Sequence, residues 1–371
     1  MKKIDWVTLG YIGSYHLLLL ICLPAYLYLF TPSTGLVLSM ICLVFACGIG
    51  ITAGYHRCFS HPCYKAHPVV EAILLFFGNL ATQGSALRWS YEHRVHHAYV
   101  DKDEDPYSVA KGFWHAHILW LFKIRPGIDT KVVSDLMRNP LILFQHRYYV
   151  ILLIIQQILV TLFFGWLLND YVGSFVFCFL LRSFLSHHTT WFINSLAHTW
   201  GEQNFSKEHS AVDNFIISLL TYGEGYHNYH HTFANDYRNG IRWYHYDPTK
   251  WLIFILSKLG LAYNLRRMNF EKIQFQLIIE HKKELLKNLA QSIVASKEEL
   301  IDRVHKQADS LTKTLEDFIQ KGKKYKELKK DFKDLKAHLK KEIRLLKGQL
   351  QYEWKNWDNL SDYIHKLKKL A

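Results

Sequence analysis

Three tight clusters of histidines stand out in this 371-residue chain, which contains 22 histidines in all. The clusters are His56 and His61 in "HRCFSH", His93, His96 and His97 in "HRVHH", and His227, His230 and His231 in "HNYHH". Side chains three or four positions apart lie on one face of a helix, so the second and third clusters can each present two or three imidazoles to one region. A lone histidine is usually a surface or core residue, whereas three such clusters predict metal binding.

The donor atoms narrow the choice of metal. Imidazole nitrogen suits iron, zinc, copper and nickel, whereas magnesium and calcium prefer oxygen ligands. Eight neutral imidazoles exceed the coordination of one ion, which makes two metal ions the natural count. The sequence has no H-E-x-x-H motif and therefore lacks the general base of the zinc proteases. The clusters are also poor in carboxylates, unlike the glutamate-rich soluble di-iron bundles.

Four apolar stretches must position these clusters, and each is long enough as a helix to cross a hydrocarbon core of roughly 30 Å. They cover residues 6–30, 35–54, 148–168 and 171–197. The alternative, buried helices of a soluble protein, is disfavoured because very short links, "TPST" and "ND", join the stretches in two pairs. A further apolar run at 69–84 is too short and broken to span, and it predicts an amphipathic or re-entrant helix at the membrane interface.

The distribution of positive charge gives an orientation. The two short links contain no Lys or Arg, whereas residues 55–147 hold eleven. The positive-inside rule then places both termini, the middle loop and all three histidine clusters on the cytoplasmic side. The sequence thus predicts an all-α integral membrane protein, with four transmembrane helices in two hairpins and a cytosolic helical cap that carries the histidines. Redox iron in such a site suits oxygen activation on a hydrophobic substrate.

Residues 266–371 differ in composition from the rest of the chain. They hold 26 Lys plus Arg against 16 Asp plus Glu, whereas the first 265 residues hold 19 against 16. Between Val304 and Leu350 apolar positions recur at spacings of three and four, which predicts long helices with a heptad-like seam interrupted near Gly322. A solvated hairpin or coiled coil, oligomerisation and attraction to anionic lipid all fit this basic tail. Nucleic-acid binding has only net charge in its favour, so no nucleic-acid partner is expected.

The three histidine motifs, H-x(4)-H, H-x-x-H-H and H-x-x-H-H in this order around two hairpins, resemble those of the membrane fatty acyl desaturases. The resemblance is closest to the acyl-CoA Δ9 (stearoyl-CoA type) branch. It extends to "DEDPY" at 103–107, "TWFINSLAH" at 190–198 and "GEGYHNYHHTF" at 223–233. Because it covers roughly residues 10–250, we expect a desaturase domain over 1–265 and a helical tail over 266–371.

Carried over residue by residue, the resemblance implies two iron sites. The first would be formed by His56, His61, His93, His97 and His230. The second would be formed by His96, His198, His227 and His231, with Asn194 reaching its iron through a water. The carboxylates of Glu224 and Asp105 are candidates for orienting imidazole N–H groups, although surface salt bridges fit them equally well. His187 and His188 match no family ligand and are expected to be structural.

The resemblance also implies a reaction: two ferrous ions reduce O2 and a cis double bond forms in a saturated fatty acyl chain, with acyl-CoA as the expected substrate. The sequence has no C-x-x-C iron–sulfur pattern, no Rossmann glycine motif and no cytochrome b5-like H-P-G-G segment. Electrons are therefore expected from an external donor, either cytochrome b5, a ferredoxin or a reductase. A membrane di-iron fatty acid or alkane hydroxylase is the alternative enzyme, and a structural or metal-storage scaffold is the alternative outside enzymes.

The sequence departs from the family near the substrate. Tyr91 and Glu92 stand where animal acyl-CoA desaturases have an Arg-Asp pair that helps bind the acyl carrier. The carrier therefore stays open between CoA, a carrier protein and a phospholipid. Trp191 and Arg88 are candidates for contacts with the acyl chain or its carrier, with anchoring at the membrane boundary as the other interpretation.

Overall fold

The computed structural model describes residues 3–292, 296–328 and 332–370 of the chain. The chain divides into two compact units. The first comprises Met1–Gln203 and Glu208–Arg267, and the second comprises Asn204–Lys207 and Met268–Ala371. The main boundary lies after Arg267. The assignment of a desaturase domain to 1–265 and of a helical tail to 266–371 stays a prediction.

Helices form most of the first unit. They are α1 (Trp6–Leu29), α2 (Thr34–Ile49), α3 (Pro68–Leu80), α4 (Ala86–Tyr99), α5 (Phe113–His117), α6 (Pro140–Arg147), α7 (Tyr149–Leu167), α8 (Tyr171–Ser174), α9 (Arg182–Ser195), α10 (Phe215–Leu220), α11 (His227–Thr232) and α12 (Pro248–Lys258). Helix α2 continues as a π-helix over Gly50–Ser60, and α8 continues as one over Phe175–Leu181 that leads directly into α9. Two short strands, β1 (Lys65–Ala66) and β2 (Ala262–Tyr263), pair antiparallel with Lys65 opposite Tyr263.

Within the described residues, three helices are long and apolar enough to cross a membrane. They cover Trp6–Leu29, Thr34–Ser60 and Tyr149–Leu167, and they correspond to three of the four expected spans. The fourth expected span is continuously helical from Tyr171 to Ser195, but it is less apolar because it carries Arg182 and two histidines. Its passage through the membrane stays a prediction. The short apolar run expected at the interface forms α3.

Side chains at the helix ends cap the spans and bring the two short links together. Asp5 and Ser33 each accept a hydrogen bond from the backbone N–H three residues later, at 3.0 and 3.1 Å, which satisfies donors in the first turns of α1 and α2. Asp170 caps α8 in the same way at 2.7 Å. Its carboxylate also accepts the phenol O–H of Tyr26, in the last turn of α1. The links that follow α1 and precede α8 therefore lie side by side, as two parallel hairpins require.

Glycines allow the closest approaches in the core of the first unit. A Cβ atom on Gly48, near the end of α2, would lie 2.1 Å from the ring of Tyr222. The phenol of Tyr222 donates a hydrogen bond to the carbonyl of Val44, 3.2 Å away. Tyr222 precedes the third histidine cluster by five residues and has a left-handed backbone, with φ of 57°. Gly48 thus leaves space for the ring of Tyr222, which holds the segment before the third histidine cluster against α2.

The second unit consists of three helices, α13 (Phe270–Gln291), α14 (Lys297–Glu327) and α15 (Lys333–Leu370), together with Asn204–Lys207. The expected seam positions Val304, Ala308, Leu311 and Leu315 are all buried in its core. Contrary to the expected interruption near Gly322, α14 continues through this glycine to Glu327. One glycine costs a helix only about 1 kcal/mol relative to alanine, which a 31-residue packed helix tolerates.

Replacing Gly48 with alanine should destabilise the first unit. The added methyl group must displace the Tyr222 ring, and overpacking of a core typically costs about 1–3 kcal/mol. We expect a fall of several degrees in the midpoint of thermal unfolding, measured for the purified protein in detergent.

The matched control is Gly13→Ala in α1, where a Cβ would meet no atom within 4 Å. Its midpoint should equal or slightly exceed that of the unchanged protein, because alanine favours a helix more than glycine does. Equal midpoints for both variants would show that Tyr222 does not pack against Gly48 as described.

Candidate metal centre

Four segments of the first unit bring their histidines to one place. His56 lies on the π-helical end of α2 and His61 immediately follows it. The second cluster lies on α4 and the third on α11. His198 ends the 3₁₀ turn that follows α9. The nine imidazoles that the resemblance implies as ligands thus come together from a stretch of more than 170 residues, between His56 and His231.

The imidazoles form two groups whose ligand-capable nitrogens lie within 4.8 Å of one another in each group. Group 1 contains His56, His61, His93, His97 and His230, and group 2 contains His96, His198, His227 and His231. These are the same two sets that the resemblance implies, and their binding of metal stays a prediction.

The Nε2 atoms within each group face one another. In group 1 the Nε2 of His230 lies 3.0 Å from that of His56 and 3.0 Å from that of His97. In group 2 the Nε2 of His231 lies 3.1 Å from that of His227 and 3.3 Å from that of His96. The rings of His97 and His231 stack with centroids 4.2 Å apart. The two groups are therefore immediate neighbours, joined through adjacent residues of α11.

Hydrogen bonds on the opposite ring nitrogens fix which lone pairs point inward. The Nδ1 of His56 contacts the carboxylate of Glu224 at 2.9 Å, and that of His96 contacts Asp105 at 2.9 Å. Of the two alternatives left open by the sequence, both carboxylates thus make the contact with an imidazole. A carboxylate accepts only, so these Nδ1 atoms donate and the Nε2 lone pairs face the group centres.

A metal ion fits each group because the inward nitrogens lack other partners. The Nε2 of His198 is buried without any hydrogen-bond partner among the described residues. Burial, reinforced by neighbouring imidazoles, lowers the pKa well below the ordinary range for most of the nine histidines. This holds for His61, His93, His97, His198, His227, His230 and His231. Such imidazoles stay neutral at pH 7, which is the form that binds a metal.

A buried arginine, which the sequence analysis did not single out, joins group 1 to two other parts of the fold. Arg57 lies next to His56 and contacts Glu224 at 2.8 Å and Asp247 at 3.0 Å. Although burial raises the pKa of Glu224, His56 and Arg57 outweigh it and lower that pKa to about 2. The carboxylate is therefore ionised and holds the His56 ring in place. Because Asp247 caps α12 through the N–H of Lys250, the same arginine also fixes that helix to the metal centre.

The structure shows two further hydrogen-bond partners of the histidines in groups 1 and 2 that the sequence did not predict. The hydroxyl of Tyr107 lies 3.1 Å from the Nδ1 of His93, and that of Ser210 lies 2.8 Å from the Nδ1 of His198. Ser210 is itself held by Asp101 through its hydroxyl and backbone N–H, both at 2.6 Å. Ser210 stands in no recognisable motif, so no pattern in the sequence indicates its contact with His198. Tyr107 ends the "DEDPY" segment. Its position two residues after Asp105 is the feature of the sequence that could have indicated its contact with His93.

The remaining predicted site residues lie around the two groups. Asn194 lines a small cavity beside His56 and His93 of group 1, together with Thr190. Its expected link through water to group 2 stays a prediction. Trp191 is buried in the core and stacks on His187, with ring centroids 4.8 Å apart. Its burial does not fit an anchor at the membrane boundary, and a contact with substrate stays a prediction.

The two histidines expected to be structural have partners away from the metal groups. The Nδ1 of His187 lies 2.6 Å from the hydroxyl of Tyr15, and its Nε2 lies 2.6 Å from that of Thr82. His188 lies between two other histidines, 3.2 Å from His16 and 3.0 Å from His117. Each ring therefore has partners on both nitrogens, as a structural role requires.

A polar cavity of about 660 Å³ opens beside Asp105, the partner of His96. Tyr91 and Glu92, the positions that depart from the family pattern, line it together with Arg125. Glu92 is buried and contacts Arg125 at 3.3 Å and Arg88 at 3.8 Å. Arg88 also donates to the carbonyl of Pro126 at 2.6 Å. The charge of Glu92 is thus balanced by Arg125 and by Arg88, whose predicted contact with the substrate stays a prediction.

Residues 33–266 match the protein family described as Fatty acid desaturase. Over 242 residues the chain is 47% identical to a "Probable acyl-CoA desaturase" of Schizosaccharomyces pombe, which covers 64% of this chain and 50% of that protein. Over 246 residues it is 41% identical to "Acyl-CoA desaturase 1" of Saccharomyces cerevisiae, which covers 66% of this chain and 48% of that protein. An "sn-2 palmitoyl-lipid 9-desaturase" of a Nostoc species is 38% identical over 266 residues, 70% of this chain and 90% of that protein.

The chain spans about half the length of the two yeast relatives that it matches. The region that matches the family contains every histidine of groups 1 and 2 and most of the first compact unit. It also contains Glu224, Asp105 and Arg57, which hold the inner histidines in place. The chain therefore belongs to the fatty acid desaturase family.

Proposed function

We propose that this protein is an O2-dependent di-iron desaturase that inserts a cis double bond into a saturated fatty acyl chain. The observation that carries the proposal is the pair of adjacent, buried, all-imidazole groups in a chain of this family. When bound, two iron ions would supply the reduction of O2 that removes two hydrogens from neighbouring methylene groups. Group 1 would hold one iron, and group 2 would hold the other, with Asn194 as a further ligand through water.

In this reaction the protein itself would hold and orient the metal-binding histidines, exclude bulk water and position the acyl chain. Glu224 and Asp105 fix the ring and tautomer of one histidine in each group, and Tyr107 and Ser210 contact a second histidine in each. Burial of the histidines keeps bulk water from the centre. The cavity between Thr190, Asn194 and the group 1 histidines is apolar on its Ile51 side, which suits a methylene placed against the metal.

The acyl substrate is proposed to carry coenzyme A, with Δ9 as the position of the double bond. The two yeast relatives are named as acyl-CoA desaturases, and the Nostoc relative is named for a palmitoyl-lipid substrate. The cavity near Glu92 is lined by three cations, Lys111, Lys123 and Arg125, and by four carboxylates, so its charge does not select the carrier. The proposal of coenzyme A rests on the names of the two yeast relatives.

The proposed topology has four spans, with both termini and the metal centre on the cytoplasmic side. Two observations support this topology: the short links "TPST" and "ND" lie side by side, and neither contains Lys or Arg. An external donor, cytochrome b5, a ferredoxin or a reductase, would supply electrons. The basic second unit is proposed to lie outside the catalytic fold, with oligomerisation and attraction to anionic lipid as its two candidate roles.

Metal analysis tests the assignment of the two groups. The purified protein should contain about two iron ions per chain, since nine imidazoles exceed the coordination of a single ion. His230→Ala should remove at least one of them, as measured by inductively coupled plasma mass spectrometry. The control is His305→Ala, which alters an exposed histidine of α14 and should leave the iron content unchanged. Iron-free protein, together with the absence of a growth defect in cells that carry His230→Ala, would favour the scaffold alternative.

Product analysis tests the reaction. Expression in a host that lacks unsaturated fatty acids should restore growth and give new cis-monoenoic acids in the fatty acid methyl ester profile. Hydroxylated or ω-oxidised products would instead establish the hydroxylase alternative. Monoenes with the double bond away from position 9 would retain the reaction but overturn the proposed position.

Deletion of residues 270–371 tests the division of labour between the units. The iron content of the truncated chain should match that of the full chain, because every proposed ligand lies in the first unit. A loss of iron at equal expression would show that the tail takes part in the catalytic fold.

A further inference from the structure

A cavity of about 480 Å³ on the surface of the first unit is lined by four cationic side chains and by aromatic rings. The cations are Arg238, Arg242, Lys250 and Arg267, and no Asp or Glu lines the cavity. Its rings include Trp243, which is 85% exposed, and Trp251 of helix α12. A cavity with several cations and no lining acid attracts an anion, and the aromatic residues indicate an amphipathic one.

Two of the four cations are free to bind a ligand. Arg238 is committed to Asp236, which it contacts at 2.7 Å. Arg242 and Arg267, by contrast, are exposed and pair with no carboxylate in the described part of the chain. Among the described residues, Arg242 donates only to the hydroxyl of Tyr244, at 2.8 Å, which leaves most of its guanidinium donors available.

The loop that carries Arg242 and Trp243 is held in shape by a buried lysine. The ammonium group of Lys250 donates to the carbonyls of Gly240 and Arg242, each at 2.6 Å, and to that of His245 at 3.1 Å. Lys250 follows the N-cap Asp247, which Arg57 fixes. The cationic wall of the cavity is thus preorganised by the same contacts that position α12.

An apolar cavity of about 270 Å³ lies against the next face of α12. It is lined by Phe45 and Ile49 of α2, by Ile73 and Phe77 of α3, and by Leu252 and Leu256 of α12. Helix α2 is one of the three helices able to cross a membrane. One 11-residue helix therefore borders a cationic cavity with Trp251, Phe254 and Ile255, and an apolar cavity with Leu252 and Leu256.

We propose that α12 carries a binding site for an anionic phospholipid. The phosphate of the headgroup pairs with Arg242 and Arg267, the glycerol region lies against Trp243 and Trp251, and one acyl chain enters the apolar cavity between α2, α3 and α12. Neither cavity is lined by a histidine of group 1 or group 2, so this lipid is distinct from the acyl substrate. A soluble anion would use the arginines but not the apolar cavity beside them.

The test uses the full-length protein in nanodiscs that contain phosphatidylglycerol with a photoactivatable acyl chain. After illumination, adducts mapped by mass spectrometry should lie in residues 248–258 and on the facing parts of α2 and α3. The Arg242→Gln, Arg267→Gln double variant should reduce these adducts about tenfold, because two cations near an anionic headgroup are lost. A phosphatidylcholine analogue should label the same residues about as weakly as the variant does with phosphatidylglycerol.

The control is Lys102→Gln with Lys131→Gln, which removes two exposed cations from other loops of the same unit and should leave labelling unchanged. Equal melting temperatures of the two double variants exclude misfolding as the cause of a loss. Equal labelling by the two lipids, or adducts that survive the arginine substitutions, would overturn the proposal. Inorganic phosphate at 10 mM would saturate a site of roughly millimolar affinity. Loss of labelling at that concentration would likewise overturn the proposal, because it would show a free-phosphate site.

Discussion

The close packing of nine buried imidazoles is the constraint on which the rest of the first unit depends. Five Nε2 pairs lie between 2.7 and 3.3 Å apart. Where both nitrogens of a pair are unprotonated, their lone pairs repel at such distances, and a buried polar atom without a partner costs about 1–3 kcal/mol. A cation at the centre of each group would remove both the repulsion and the cost of unpartnered nitrogens, because each lone pair would then bind the metal. The histidines, their burial and their neutral state together fit metal ligation, which stays a prediction.

The surrounding fold serves to keep these rings in place. Glu224 and Asp105 orient one ring in each group, and Arg57 connects Glu224 to Asp247 at the start of α12. The bond between Tyr26 and Asp170 aligns the helical hairpins that bring α2 and α9 to the centre. A metal site assembled from segments so distant in sequence needs this rigid support, because small displacements of a ligand weaken coordination.

Much of this arrangement could be predicted from the sequence, and the limits have physical causes. Spacing showed that the histidines of α4 share a face, but not that His96 belongs to one group while His93 and His97 belong to the other. That division followed from the family resemblance. The contact between Arg57 and Asp247 joins positions 190 residues apart, which no local pattern reveals. The fourth expected span carries Arg182 within an apolar run, so composition alone leaves its role as a span undecided.

The central claim is that each imidazole group binds its own iron. Anomalous diffraction from crystals of the full-length protein, collected on both sides of the iron absorption edge, tests it most directly. Two peaks that appear only above the iron edge are expected, one within group 1 and one within group 2. A single peak shared by the two groups, or peaks that persist only at the zinc edge, would contradict it.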